Sequence, residues 1–422
     1  MTSAPGTATA TAPATPAHPG GLPGYALFGG LLAMAGLPLY IHAPFFYVES
    51  FGVSLAALGL VLGGLRFIDF VQDPALGWLA ERTRRARGLA VAIAAAIMAL
   101  SMLGLFAVTP PVAPLLWFAL TLIPLFSAFS FLSIAFYSQG VAKAGALGDR
   151  GHVLLATWRE TGALLGVCLA AVAPTVLVIT GAPYAWFAVG FTGLAVAAVW
   201  AMRAEWQAAP VAQETGFAEV LRDPTARRLL IIAFLNAAPV AVTSSLFLFF
   251  VEGRLQAPGW EGPFLLLFFL AAAGAAPLWG RAAQTHGPKR VLLLGMALAI
   301  VSFVFAALLG PGDLWAFALV CVASGAALGA DLTLLAAIFA RRMEKISPDA
   351  SRAFGLWAFT TKATLAISAV IVLPLLGASG FEAGRPNPPE ALAMLTFLYA
   401  ILPCGLKLAA LGLLAATRLE ES

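Results

Sequence analysis

Arg66, Asp69 and Asp73 stand three and four residues apart in Arg66-Phe-Ile-Asp69-Phe-Val-Gln-Asp73-Pro74-Ala-Leu-Gly77, inside an otherwise apolar run. In a helix those intervals put all three side chains on one face. A charge in hydrocarbon costs at least about 2.5–3.5 kcal/mol on insertion scales, so such a stripe is expected to face a wet cavity rather than lipid. Two carboxylates one turn apart repel, and a bound cation, or a proton on one of them, relieves the repulsion. That chemistry is a coupling-ion site on Asp69 and Asp73, for H⁺ or for Na⁺ as the metal ion. The plainer alternative makes Arg66 and Asp69 a structural ion pair and leaves Asp73 to satisfy backbone groups where Pro74 interrupts the helix.

Far along the chain, Trp357-Ala-Phe-Thr-Thr-Lys362-Ala places a lysine in another apolar run, ten residues after Arg352. A buried lysine needs an anionic partner, which Asp69 or Asp73 would supply; otherwise it snorkels to the membrane surface.

The elements that must position these groups are membrane-crossing helices. Of the 422 residues, 61% are hydrophobic and 10% charged, and the mean hydropathy is +0.93; a soluble domain carries about 25% charged residues. Apolar runs bounded by Gly, Pro or charges begin near Tyr25, Leu55, Leu89, Pro114, Val153, Tyr184, Leu229, Pro263, Val291, Leu314, Phe354 and Ala391. These predict an all-α membrane protein with twelve crossings, since a crossing takes about 20 apolar residues. Residues 1–23, rich in Ala, Thr and Pro, read as a disordered tail; 24–203 and 229–417 as two six-helix halves; 204–228 as a cytoplasmic linker with a short helix near Phe217; and 418–422 as a C-terminal tail.

With the N-terminus inside, 18 of the 24 Lys and Arg residues fall on inner loops, the exceptions being Arg254 and Arg385 outside and Arg66, Arg159, Lys362 and Lys407 within spans. The positive-inside rule then places both termini in the cytoplasm, with a bacterial inner (plasma) membrane as the expected location. The net charge of +4 is spread over short loops and leaves no nucleic-acid footprint. Cys168, Cys321 and Cys404 sit in apolar runs and imply no disulfide framework. No phosphate-binding loop and no nucleophile–base arrangement stands out, so neither cofactor nor catalytic residues are expected. His42 reads as a core residue, and Gly162-x-x-x-Gly166 and Gly325-x-x-x-Gly329 as helix-packing faces.

Pro74-Ala-Leu-Gly77 and Pro277-Leu-Trp-Gly280 each lead into a short basic loop at equivalent places in the two halves. This internal repeat resembles the major facilitator fold. More specifically, Arg66-x-x-Asp69-x-x-x-Asp73-Pro74-x-x-Gly77-x-x-x-Glu81-Arg82 is similar to the span-two signature of the glycoside-pentoside-hexuronide:cation symporters, the group of melibiose permease. The resemblance implies that Asp69 and Asp73 bind the coupling cation and that Lys362 lies near them with Arg66 in one charge network. It also implies that Gly77, Glu81 and Arg82 form a gating loop.

By the same resemblance Arg159, in Ala-Thr-Trp-Arg159-Glu160, lies near a sugar site, and Tyr137 offers its ring to a sugar. Trp357 is grouped with them as substrate-facing. Glu160, about 100° further round the helix, is not expected to share the role of Arg159; alternatively the pair are structural charges near the inner surface. Where the group carries sugar-binding acids in spans one and four, this chain has Ala33 and Ser133. Asn236, Thr243 and Asp331 could supply replacement polar contacts or simply be satisfied inside the bundle.

The expected function is therefore cation-coupled symport of a small solute, with a sugar or glycoside as the leading candidate, by a monomer whose partners are that solute and membrane lipid. A proton-coupled exporter of amphipathic compounds, a lysolipid transporter and an intramembrane enzyme are the competing readings.

Overall fold

Proline and glycine punctuate the helices. Pro lies in the first turn of many of them, where its missing N–H costs nothing. Gly52, at φ 63°, turns the chain after the second helix, and Ser54 then caps the third through its hydroxyl oxygen.

The computed structural model describes residues 21–148, 150–206, 216–346, 350–382 and 386–419. Residues 1–20 of the expected tail, 207–215 of the expected linker and 420–422 at the C-terminus lie outside the described residues. The first crossing breaks at Gly36 into α1 (Leu22–Met34) and α2 (Leu37–Phe51). The first half continues with α3 (Leu55–Arg82), α4 (Arg87–Phe106), α5 (Pro114–Ala146), α6 (Gly151–Val176) and α7 (Pro183–Ala201). A short helix, α8 (Phe217–Arg222), precedes the second half. That half comprises α9 (Pro224–Phe249), α10 (Glu261–His286), α11 (Pro288–Ala306), α12 (Leu314–Ala330) with α13 (Ala336–Ile346), α14 (Ser351–Ala378), and α15 (Pro389–Thr396) with α16 (Leu402–Ala416). Turns of π-helix at Asp331–Leu335 and Phe397–Ile401 join the paired segments into single crossings.

Twelve crossings result, among the described residues. Ten are long and apolar enough to be recognised on composition alone. The other two are the crossing split at Gly36 and α3.

Lipid gives apolar helices no hydrophobic reason to associate, so close contact must come from small residues. The tightest case joins α1 to α6: a Cβ on Gly162 would lie 2.0 Å from the carbonyl oxygen of Ala26, and one on Gly166 2.3 Å from that of Gly30. Gly325 and Gly329 play the same part between α12 and α10. Gly162→Val is accordingly expected to destabilise the first half by about 3 kcal/mol or more through overpacking. A drop in melting temperature in detergent micelles checks this; an unchanged melting curve would show that α1 can retreat freely.

The halves meet through α3 against α14 and α6 against α10. The ends carrying the basic loops form one face of the bundle, called the basic face below.

Candidate functional site

α3 runs toward the basic face and α14 away from it, so residues late in one oppose residues early in the other. Glycine lets them touch. A Cβ on Gly355 would lie 2.9 Å from the carbonyl oxygen of Asp73 and 3.2 Å from the Cα of Gly77, while one on Gly77 would lie 3.0 Å from the carbonyl oxygen of Ser351. This crossing sets the register that brings Lys362, two turns beyond Gly355, level with the acids of α3.

Lys362 Nζ donates to Asp69 Oδ1 at 2.9 Å, to Asp73 Oδ1 at 3.1 Å and to Ser130 Oγ on α5 at 2.5 Å. Ser130 Oγ in turn donates to Asp69 Oδ1 at 2.7 Å. Asp73 is fully buried and Asp69 is 8% exposed, whereas the Lys362 side chain keeps 21% of its surface accessible. The second carboxylate oxygen of Asp73, Oδ2, is buried without a hydrogen-bond partner. An orphaned acceptor of this kind costs about 1–3 kcal/mol, and a proton or a small cation satisfies it directly. Of the expected charge network, Asp69, Asp73 and Lys362 are thus together; the side chain of Arg66 lies outside the described residues. Ser130, a member of the cluster, was not singled out in the sequence because one hydroxyl in an apolar helix carries no signal.

Nearer the basic face, Glu81 pairs with Arg352 of α14. Arg87 Nη1 donates to Gln139 Oε1 at 2.9 Å, and Arg87 Nη2 reaches Ser351 Oγ at 3.4 Å. Ser138 and Ser351 hydroxyls lie 2.9 Å apart, and His152 Nε2 is 2.6 Å from Glu344 Oε2. All of these contacts except the Arg87–Gln139 bond cross from the first half to the second. Gly77 and Glu81 therefore do lie where the halves close. Arg82 does not: it is exposed on the outside of α3 and stacks over Trp78 at 5.2 Å, because one residue beyond Glu81 the helix has turned away from α14. Asp223, the N-cap of α9, accepts two bonds from Arg342. Those bonds, together with backbone N–H donors, hold the Asp223 carboxyl below the usual carboxylate range. The linkage therefore persists above that range and is lost only as pH falls through the lowered pKa.

The Arg159 guanidinium lies 3.7 Å over the Tyr137 ring, and Arg159 Nε donates to Glu160 Oε1 at 2.8 Å. Tyr137 Oη donates to that same oxygen at 2.9 Å. The expectation that Glu160 stands apart from Arg159 is corrected: two long side chains on neighbouring residues curl together when both are buried, at 3% and 4% exposure. One face of Tyr137 is covered by Arg159, and its ring edge abuts Phe354 at 5.3 Å. Trp357, half-buried, stacks on Phe339 at 4.7 Å.

Asn236 takes the second of its two expected places, satisfied inside the bundle. Its Oδ1 accepts from Lys407 Nζ at 2.7 Å, and Lys407 pairs with Asp331, all three buried at 4–6% exposure inside the second half. Asp331 thus neutralises a lysine between α9, α16 and the π-turn after α12, and Asn236 accepts a further bond from it. Lys407→Met is expected to cost about 3–5 kcal/mol by stranding Asp331, and the double variant K407M/D331N to recover most of it. Melting curves of the three proteins decide; equal losses in single and double variants would show that the cost does not come from a stranded Asp331.

Residues 23–421 match the family described as MFS/sugar transport protein. No curated protein sequence matches the chain. The fold is similar to that of a bacterial homologue of the iron transporter ferroportin in an outward-facing state, at 14% identity over 93% of this chain and 98% of that one, with a TM-score of 0.72. It is also similar to the E. coli fucose:proton symporter, at 14% identity over 92% and 98% with a TM-score of 0.66. A third likeness is to the human organic anion transporter TETRAN, at 16% identity over 93% and 98% with a TM-score of 0.64. At such identities these structures carry the fold and nothing finer. A family match over nearly the whole chain, on twelve crossings in two halves, makes this an integral, multi-pass membrane protein with a transporter fold: it belongs to the MFS/sugar transport protein family of the major facilitator superfamily.

Proposed function

We propose that the protein is a cation-coupled symporter of a small polar solute, working by alternating access, with Asp69 and Asp73 as the coupling site. The observation that carries this reading is Lys362, from the second half, bonded to both acids of the first half beside an unsatisfied Asp73 oxygen. The three groups sum to one negative charge when all are ionised. A single H⁺ or Na⁺ brings the sum to zero, and a neutral cluster crosses a low-dielectric constriction far more cheaply than a charged one. Among the described residues no group of three or more His, Cys, Asp or Glu gathers to hold a metal ion. A Na⁺ here would rest on the two carboxylates and the Ser130 hydroxyl, displacing Lys362; a proton needs only Asp73 Oδ2.

Lys362 links this site to the halves' movement. Cation binding weakens the hold of the acids on Lys362 and frees α14 from α3, so that the basic face opens. With the termini inside, the basic face is cytoplasmic and the described state is closed on that side. The solute would lie near Tyr137, Arg159 and Trp357, the aromatic and cationic groups to which the family resemblance assigns it. The family match supports a sugar as the solute, and the resemblance of the α3 signature to that of the melibiose permease group supports H⁺ or Na⁺ as the coupling ion.

The test is uptake into proteoliposomes of labelled monosaccharides and glycosides with an imposed H⁺ or Na⁺ gradient. Accumulation that collapses when the gradient is dissipated supports coupling, whereas gradient-independent equilibration would overturn it. Lys362→Ala is expected to lower gradient-driven uptake at least tenfold, because two neighbouring acids then lose their shared counter-charge.

A further inference from the structure

A cavity of about 360 Å³ opens on the basic face, away from the acids of α3. Its wall draws on both halves. Arg150 and His152 come from the start of α6, and Lys289, Arg341, Lys345 and Arg418 come from the second half. Arg342 also lines it, but is engaged by Asp223, and Lys289 donates to the carbonyls of Ala415 at 3.1 Å and Thr417 at 2.8 Å. His152 Nε2 lies 2.6 Å from Glu344 Oε2, which holds the ring against the second half, on a side chain only 5% exposed. Arg150 and Arg418 are exposed at the rim. The start of α11, at Pro288, presents the positive end of its dipole to the same space. Val153, Ala337, Ile338 and Leu419 supply an apolar wall beside the charges.

We propose that this cavity binds a phosphate-bearing anion, and that the bound anion clamps the two halves together on the basic face. Several cations around a pocket and a helix N-terminus match a phosphate group. The apolar wall at a membrane-surface position matches the glycerol end of an anionic phospholipid, for which basic pockets between transmembrane helices are known sites. Because Arg150 and His152 belong to one half and Lys345 and Arg418 to the other, the full set of contacts exists only while this face is closed. An anion that binds the closed state better shifts the population toward it. The clamping claim rests on the alternating-access reading above; the binding claim does not.

The experiment titrates the full-length protein, purified in neutral detergent, with phosphatidylglycerol and separately with inorganic phosphate at constant ionic strength, reading the shift in melting temperature. Wild type is expected to show a saturable rise with phosphatidylglycerol. In R150Q/K345Q/R418Q the apparent affinity is expected to fall roughly 100-fold, since each cation near an anionic headgroup contributes about fivefold. The control R85Q/R203Q/R222Q, which removes three basic-face charges outside the cavity, should bind as wild type does. An equal response to inorganic phosphate supports the site with a soluble occupant. Absence of any response, an unaltered response in the cavity variant, or an equal loss in the control would overturn the binding claim. Thiol labelling of an introduced S138C, buried between the halves, reads the clamp: the ligand should slow labelling severalfold, and an unchanged rate alongside intact binding would overturn the clamp alone.

Discussion

Asp73→Asn is expected to lower gradient-driven uptake at least about 100-fold while leaving the protein folded. The magnitude follows from charge. On the proposed coupling, the wild-type cluster becomes neutral only by taking up one cation, and an uncompensated charge there costs at least about 2.5–3.5 kcal/mol, close to two powers of ten, which is the ion dependence that D73N removes. Asn at position 73 leaves Asp69 and Lys362 as a balanced pair, so the movement no longer waits for an ion. Lys362 still donates to Asp69 and Ser130, and the amide replaces a fully buried carboxylate of nearly the same shape. Stability should therefore hold or rise. Uptake under an imposed gradient, with the melting temperature as the fold control, measures both. Uptake that keeps its ion dependence in D73N would remove Asp73 from the coupling site.

Gly355→Val is expected to abolish closure of the basic face. A Cβ at this position already lies 2.9 Å from the Asp73 carbonyl oxygen and 3.2 Å from the Gly77 Cα, and valine adds two methyl groups beyond it. Both obstructing atoms are backbone, so no rotamer change relieves the clash; α3 and α14 must separate. Separation also parts Glu81 from Arg352 and Ser138 from Ser351. Transport that requires the closed state should fall by tenfold or more. Labelling of S138C from the basic side should rise at least tenfold, because Ser138 is 1% exposed when the face is shut. Normal uptake and slow labelling in G355V would mean that the close crossing is not a requirement of the cycle. The two variants separate the functions of one interface: D73N is expected to lose coupling with the face still closing, and G355V to lose closing with the acids intact.

The hydrophobic pattern made the architecture legible in advance. Crossings placed from Gly, Pro and charge boundaries begin within a few residues of the helices, because only a helix satisfies every backbone group in hydrocarbon. Asp69, Asp73 and Lys362 were legible for the same reason. An ionisable group in an apolar run has few ways to be tolerated, and two acids with a distant lysine suggested each other. Arg87, assigned to a loop, proved buried at the start of α4 with Gln139 and Ser351, since a residue at a span boundary can turn either way. Lys407 and Asp331 lie 76 positions apart, and sequence spacing could not say that they meet.

The sequence by itself determined that the chain crosses a membrane about twelve times, in two halves, with acids and a lysine that must find one another. Helical periodicity and the cost of charge in lipid are local rules, and they need no partner to be known. Only the tertiary structure decided that Lys362 takes both acids and Ser130 at once, that Glu160 joins Arg159 and Tyr137, and that Asn236 serves Lys407. Those outcomes depend on the register between helices, which close crossings such as Gly77 on Gly355 set and which no local pattern encodes.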